Sequence, residues 1–216
     1  MVADITDGTA FDKHGRPFRR RNYLPAIWLF VALATATVLV WVFALNRPAD
    51  VQEVATCNPP PPAENGPAPS LGEQVSRGEM VDVTPAKLAD TQIRVLNASG
   101  QGGQAGEVAG ELRDLGFAQP EAANDTIYTT VRLQCQGQLR FGPAGRAAAA
   151  AVWLVAPCTE LFEDGRTDAV VDLAIGTDFT ELVHSDDINA VLASLRPDAT
   201  APADAALLEK IHTGTC

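Results

Sequence analysis

Basic residues are scarce. The 216-residue chain holds 16 Lys and Arg against 27 Asp and Glu, a net charge of −11. A nucleic-acid binder would carry a basic domain, so no nucleic-acid partner is expected. Cysteine is also sparse: four residues are too few for a cysteine-framework miniprotein. No C-x-x-C pair exists, and neither His184 nor His212 has zinc-motif spacing, so no metal site is read. There is no internal repeat and no G-x-S-x-G elbow to present a nucleophilic serine. The 17 Gly and 15 Pro do not make the whole chain disordered.

What is present is unevenly distributed. Residues 1–23 carry Lys13, Arg16, Arg19, Arg20 and Arg21 against three Asp. Residues 24–45 carry no charge. Residues 46–216 hold 11 basic and 24 acidic residues, a net of −13. The chain is a basic head, an apolar span and an acidic body.

As a helix, residues 24–45 would extend about 33 Å, enough for a bilayer core of about 30 Å. Trp28 and Trp41 lie toward its two ends, where amphipathic rings prefer the headgroup level. Pro25 falls in the first turn, where a missing N–H costs nothing. The rival reading is a cleaved signal peptide, but its apolar core would be about 7–15 residues. Ala44-Leu45-Asn46 is also a poor cleavage site. The basic flank predicts a cytoplasmic N-terminus and an extracytoplasmic body.

All four cysteines, Cys57, Cys135, Cys158 and Cys216, fall in the acidic body. An extracytoplasmic compartment permits disulfides. Four cysteines allow three connectivities. The expected pairing is Cys135–Cys158, each just before a predicted strand at one end of the sheet, with Cys57–Cys216 tying the linker to the chain end.

Residues 46–90 hold eight of the 15 prolines, including Pro59 to Pro62, and read as a semi-rigid spacer. A short strand is predicted at Met80–Val83. From residue 91 the pattern tightens. Ile93–Asn97 alternates like a strand. Gly100, Gly102, Gly103 and Gly106 form a turn into a helix whose apolar face is Ala105, Val108, Ala109, Leu112 and Leu115, stopped by Gly116. Further strands are predicted at Phe117–Ala123, Tyr128–Leu133, Gln138–Phe141, Thr159–Glu163 and Ala169–Ile175. A second helix runs from Pro143 to Val155, and two short helices, Asp187–Leu195 and Ala203–Ile211, close the chain. The order β-α-β-β-α-β-β predicts an α+β domain over residues 91–182, a split βαβ arrangement with a mostly antiparallel sheet and two helices on one face. Residues 183–216 form a C-terminal helical extension.

The stretch IRVLNASGQGGQAGEVAGELRDLGF resembles the start of a LytR_C domain. RFGPAGRAAAAAVWLV resembles that family's second strand and Ala-rich helix, and VVDLAIGTDF its closing strand. The resemblance covers roughly residues 92–180. LytR_C domains usually follow a LytR–CpsA–Psr domain, which transfers glycopolymers onto peptidoglycan. The stretch before residue 92 leaves no room for that catalytic domain. The resemblance, with the head, anchor and linker, implies an actinobacterial membrane protein serving cell-envelope integrity and wall organisation, with no known reaction and no cofactor.

The sharpest local feature is the glycine turn. Gly100, Gly102 and Ala105 satisfy G-x-G-x-x-A, but one short, apparently antiparallel domain does not make a dinucleotide fold. The N–H groups at a helix start can still hold an anion or sugar oxygen, with Asn97, Ser99 and Gln101 adding polar reach beside Gly100, Gly102 and Gly103. The bland alternative is a tight turn needing positive φ. His184, Ser185, Asp186 and Asp187 cluster after the last strand, where Ser185 or Asp186 reads as a helix cap rather than part of a triad.

Three functions follow. The first is a non-catalytic anchored protein whose outer domain binds a partner, either a glycopolymer ligase of the LytR–CpsA–Psr type or another LytR_C protein. The second is direct binding of wall glycan or envelope lipid. The third, an unrecognised hydrolase or transferase, lacks a catalytic constellation. Arg94, Arg113, Arg132, Arg140, Arg146 and Arg166 would make a basic patch for anionic polymers only if they converge.

Overall fold

The computed structural model describes residues 23–45, 56–63 and 66–213. The chain divides into two compact units, residues 1–49 and 50–216. In the first, helix α1 (Leu24–Leu45) has 22 residues and is long and apolar enough to cross a membrane; its Leu24–Trp41 stretch is entirely exposed.

The second unit is a six-stranded sheet ordered β1-β5-β4-β6-β2-β3. Its strands are β1 (Glu73–Gln74), β2 (Ile93–Asn97), β3 (Glu121–Asn124), β4 (Gly137–Phe141), β5 (Glu160–Glu163) and β6 (Val171–Ile175). Helix α2 (Arg77–Val81) precedes β2, α3 (Gln104–Asp114) links β2 to β3, and α4 (Arg146–Trp153) links β4 to β5. Helices α5 (Asp186–Ser194) and α6 (Ala205–Thr213) follow β6.

From β2 onward the element order is β-α-β-β-α-β-β, with two of the three strand candidates between α3 and α4 formed, and the sheet is mixed rather than mostly antiparallel. Pairs β2–β3, β2–β6 and β4–β5 are parallel, while β4–β6 and β1–β5 are antiparallel. Neither βαβ unit is split, because β2 lies beside β3 and β4 beside β5. The last strand, β6, inserts between the two units instead. The second unit runs opposite to the first, so the usual right-handed crossover puts both helices on one face. Packing agrees: α3 and α4 share one apolar cluster with Val95, Leu139 and Leu173.

Local sequence explains the helix ends. Leu115 caps α3, Gly116 takes φ +104°, and the Phe117 N–H donates to Leu112 O at 3.1 Å. That is a Schellman closure with Phe117 and Leu112 both buried beneath it. Ser185 Oγ accepts from Ile188 N–H at 3.1 Å and caps α5, as read from sequence.

The expected strand at Met80–Val83 is instead the end of α2 and its cap. Ser76 and Glu79 form a reciprocal capping box, which fixes a helix start four residues before Met80. Hydrogen bonding to Ser76 holds the Glu79 carboxyl below its ordinary range. The expected strand at Tyr128–Leu133 is turn and irregular chain. The core also exceeds the expected boundaries of residues 91–182. Val75, Met80 and Leu88 from the spacer side, and Ile188, Val191, Leu192 and Ile211 from the terminal helices, join the same cluster.

Candidate functional site

Strand alternation gives the sheet two unlike faces. Ile93, Val95, Leu139, Phe141, Val171, Leu173 and Ile175 point into the helix-covered cluster. Between them, Arg94, Gln138, Arg140 and Asp172 occupy the other face. Arg140 and Gln138 are nonetheless buried, at 3% and 1% exposure. Arg140 donates to Asp125 Oδ2 at 2.7 Å and to Gln138 Oε1 at 2.9 Å, and lies 5.6 Å from the Tyr128 ring centroid. Burial raises the Tyr128 hydroxyl pKa above its ordinary value. Asp172 accepts both guanidinium arms of Arg94, at 2.7 and 2.9 Å, and pairs with Arg166 at 2.8 Å. Arg166 also pairs with Asp164. Burial opposes the Arg166 charge, but its two carboxylates outweigh that and raise its pKa. Burial likewise pushes Asp164 up, and Arg166 more than reverses it, leaving Asp164 below its ordinary range.

Cys57 and Asn58 of the spacer segment belong to this face. Cys57 N–H donates to Glu160 Oε1 at 3.2 Å, and Asn58 donates to Arg132 O and accepts from Gln134 N–H. Tyr128 Oη donates to Asn58 O at 2.7 Å. These contacts bring Cys57 beside Cys135, and the two form a disulfide with Cα atoms 5.0 Å apart. Both expected pairings, Cys135–Cys158 and Cys57–Cys216, are therefore corrected: a segment read as free spacer lies across the sheet and takes Cys135. Cys158 is half-buried and lines a separate cleft. Cys216 lies outside the described residues.

The glycine turn assembles as expected, but its polar groups serve the turn itself. Asn97 Oδ1 accepts from Ser99 N–H, Ser99 Oγ and Gly100 N–H, while Asn97 Nδ2 donates to Gln101 O at 2.6 Å. Ser99 is fully buried and bonds Gln104 Oε1 at 2.6 Å, and Gln104 reaches on to Phe179 O. Gly100 and Gly103 take φ +75° and +86°, which L side chains adopt rarely. Gly102 and Gly103 have open space around a notional Cβ. The turn thus retains outward N–H groups at the start of α3 but has spent the side chains of Asn97 and Ser99.

The six arginines do not make one basic patch. Arg94, Arg140 and Arg166 share a face, each neutralised by Asp172, Asp125 or Asp164. Arg146 pairs with Glu163, and Arg113 bonds Pro120 O. Arg132 lies beside Gly100. His184 bonds Glu111 at 2.7 Å, and Asp187 pairs with Lys210. His184, Ser185 and Asp187 are thus directed to three different partners.

Several clefts open on the domain among the described residues. One of about 340 Å³ lies between the end of α4 and residues 179–184 and includes Cys158. One of about 460 Å³ lies beside β1 and Thr56. One of about 480 Å³ lies at the start of β2 and β3, with Arg94, Gln119, Glu121 and Asp168 on its walls. Gln119 has φ +38°, the one positive value outside glycine among the described residues. The sequence offered no signal for this cleft, because its residues come from three loops and two strand ends.

The LytR_C family, described as LytR cell envelope-related transcriptional attenuator, matches residues 90–179. The cell envelope integrity protein Cei of Mycobacterium tuberculosis is 66% identical over 217 residues, covering 100% of both chains. The crystal structure of the soluble domain of a conserved hypothetical secreted protein from Mycobacterium marinum is 68% identical. It covers 68% of this chain and 100% of its own, with a TM-score of 0.67.

Proposed function

The chain belongs to the LytR_C family, and from that membership we propose that it is a membrane-anchored envelope protein whose outer domain is a non-catalytic interaction module. Its envelope role is shared with its mycobacterial relative. In this reading α1 is an uncleaved anchor, the basic head is cytoplasmic, and residues 46–216 lie outside. The partner is a glycopolymer ligase of the LytR–CpsA–Psr type or another LytR_C protein.

The observation that carries the reading is how the domain uses its polar groups. Asn97, Ser99, Asp125, Arg140 and Asp172 are all bonded to one another or to nearby chain. Recognition is left to backbone edges and shallow clefts, which suits a protein partner better than chemistry on a small substrate. The second reading, glycan or lipid binding, draws support from the cleft of about 340 Å³, whose walls include Val155, Phe179 and Leu182. The net charge of −13 outside the anchor opposes anionic polymers and headgroups.

The test is crosslinking in living cells and capture of the tagged full-length chain, against a control ending at residue 55. Domain-dependent enrichment of a glycopolymer ligase or another LytR_C protein supports the reading. Matching lists from the two chains count against it and move attention to wall fragments and lipids. A reporter fused to the C-terminus is active only outside the cytoplasm if the orientation holds.

A further inference from the structure

Strand β3 is the outer edge of the sheet, and all four of its residues are exposed. Asp125 N–H donates to Asn97 O, so Glu121 and Ala123 also turn their backbone groups toward β2. By the same alternation, the N–H and C=O of Ala122 and Asn124 face away from the sheet. Among the described residues nothing bulky stands over them: Ala122 and Ala123 are exposed and lie beside Gly103, Ala105 and Gly106 in a shallow depression of about 250 Å³. Natural sheets usually block such an edge with Lys, Pro or a covering element. Within β3 itself, residues Glu121–Asn124 include neither Lys nor Pro.

Carboxylates gather at the start of this edge, where Arg113 is turned onto Pro120 O. Glu121 and Asp168 border the cleft of about 480 Å³ next to the start of β3. Among the described residues neither enters an ion pair, whereas Arg94 in the same cleft is held bidentately by Asp172. Glu107 in the first turn of α3, which packs on β3, adds a third exposed carboxylate.

We propose that β3 is a docking edge for an extended, positively charged peptide segment of a partner protein, which pairs with Ala122 and Asn124 and places a basic side chain in the cleft beside Glu121 and Asp168. Main-chain hydrogen bonds supply affinity in strand addition, and flanking pockets supply selectivity. The proposal rests on the interaction-module reading and names the surface that module uses.

The test uses full-length protein in detergent micelles and a fluorescent peptide of alternating Lys and Val. Two controls are the same peptide N-methylated at every second amide and one with Glu for Lys. Saturable binding that falls at least tenfold with either control supports the proposal. Ala122→Pro removes only an outward N–H, and Glu121→Lys with Asp168→Lys reverses the cleft charge; each should weaken binding at least tenfold with unchanged far-UV circular dichroism. Equal binding of the N-methylated peptide means charge attraction alone and overturns the proposal. So does the absence of binding. Self-association that Ala122→Pro abolishes, without peptide binding, assigns the edge to a second copy and overturns the stated partner. Capture of the same cellular partners by wild type and Ala122→Pro sinks the edge while leaving the interaction module standing.

Discussion

The two faces of the central sheet are held by different physics. The helix-covered face is a continuous apolar cluster that includes the fully buried side chains Trp153, Phe141, Leu139, Leu173 and Ile175. The opposite face combines buried ion pairs with a smaller apolar cluster of Leu96, Tyr128, Leu133, Cys135 and Ala174, and is closed by a covalent staple to the spacer. The first face gains from area removed from water and tolerates modest repacking. The second depends on complete satisfaction of every donor and acceptor, so losing one partner costs more than losing both.

Four variants sharpen this contrast, taken broadly from the largest effect to the smallest. Trp153→Ala on the apolar face should cost about 3–5 kcal/mol, read from chemical denaturation of the protein. It removes the ring that stacks on His212 at 3.8 Å and lies beneath Arg77. Arg140→Met on the polar face should cost about 3 kcal/mol, because it strands the Asp125 carboxylate without its ion-pair partner. Adding Asp125→Asn to that variant should recover part of the loss; no recovery would mean that packing, not charge, holds this face. Replacing Cys57 and Cys135 together by Ser should cost about 2–4 kcal/mol, since the bridge spans 78 residues of sequence.

The smallest effect is a pH dependence. Burial, and then Arg77, lower His212 from 6.5 to about 4. The unfolded chain therefore binds this proton more readily than the folded one. Stability from this group is full above pH 6.5 and is lost as pH falls toward 4. Melting temperature should drop across that window in the wild type and drop less in His212→Phe, which keeps a flat ring against Trp153. His212 Nδ1 is buried without a hydrogen-bond partner among the described residues, so Phe also removes an unsatisfied atom.

Much of the apolar face was legible in sequence. The i, i+3, i+4 spacing of Ala105, Val108, Ala109 and Leu112, and the Gly116 stop, describe α3 as it stands. The Ala-rich stretch of α4 and the run of β6 were equally plain. The polar face was not. Arg94 and Asp172 in alternation with apolar residues look like a solvated strand face, and only cross-strand register shows Asp172 between Arg94 and Arg140. The disulfide was hidden for the same reason, since the docking of Cys57 and Asn58 depends on Tyr128, Gln134 and Glu160 from distant elements. Asn97 stands in the turn as expected, with its side chain bonded to the turn's own backbone. Its side chain organises the turn, and composition does not reveal whether an amide serves a ligand or its own backbone.

The position of β6 governs the order in which the folded domain is completed. It is the last strand synthesised, yet it lies at the centre, pairing β2 on one side and β4 on the other. Until residue 175 emerges, the strand that joins the two βαβ halves is missing. Closure then depends on contacts distant in sequence, the kind that slow folding. A chain stalled or cleaved just short of β6 has most of its residues and no centre, so quality control would meet an all-or-none product at this point of translation.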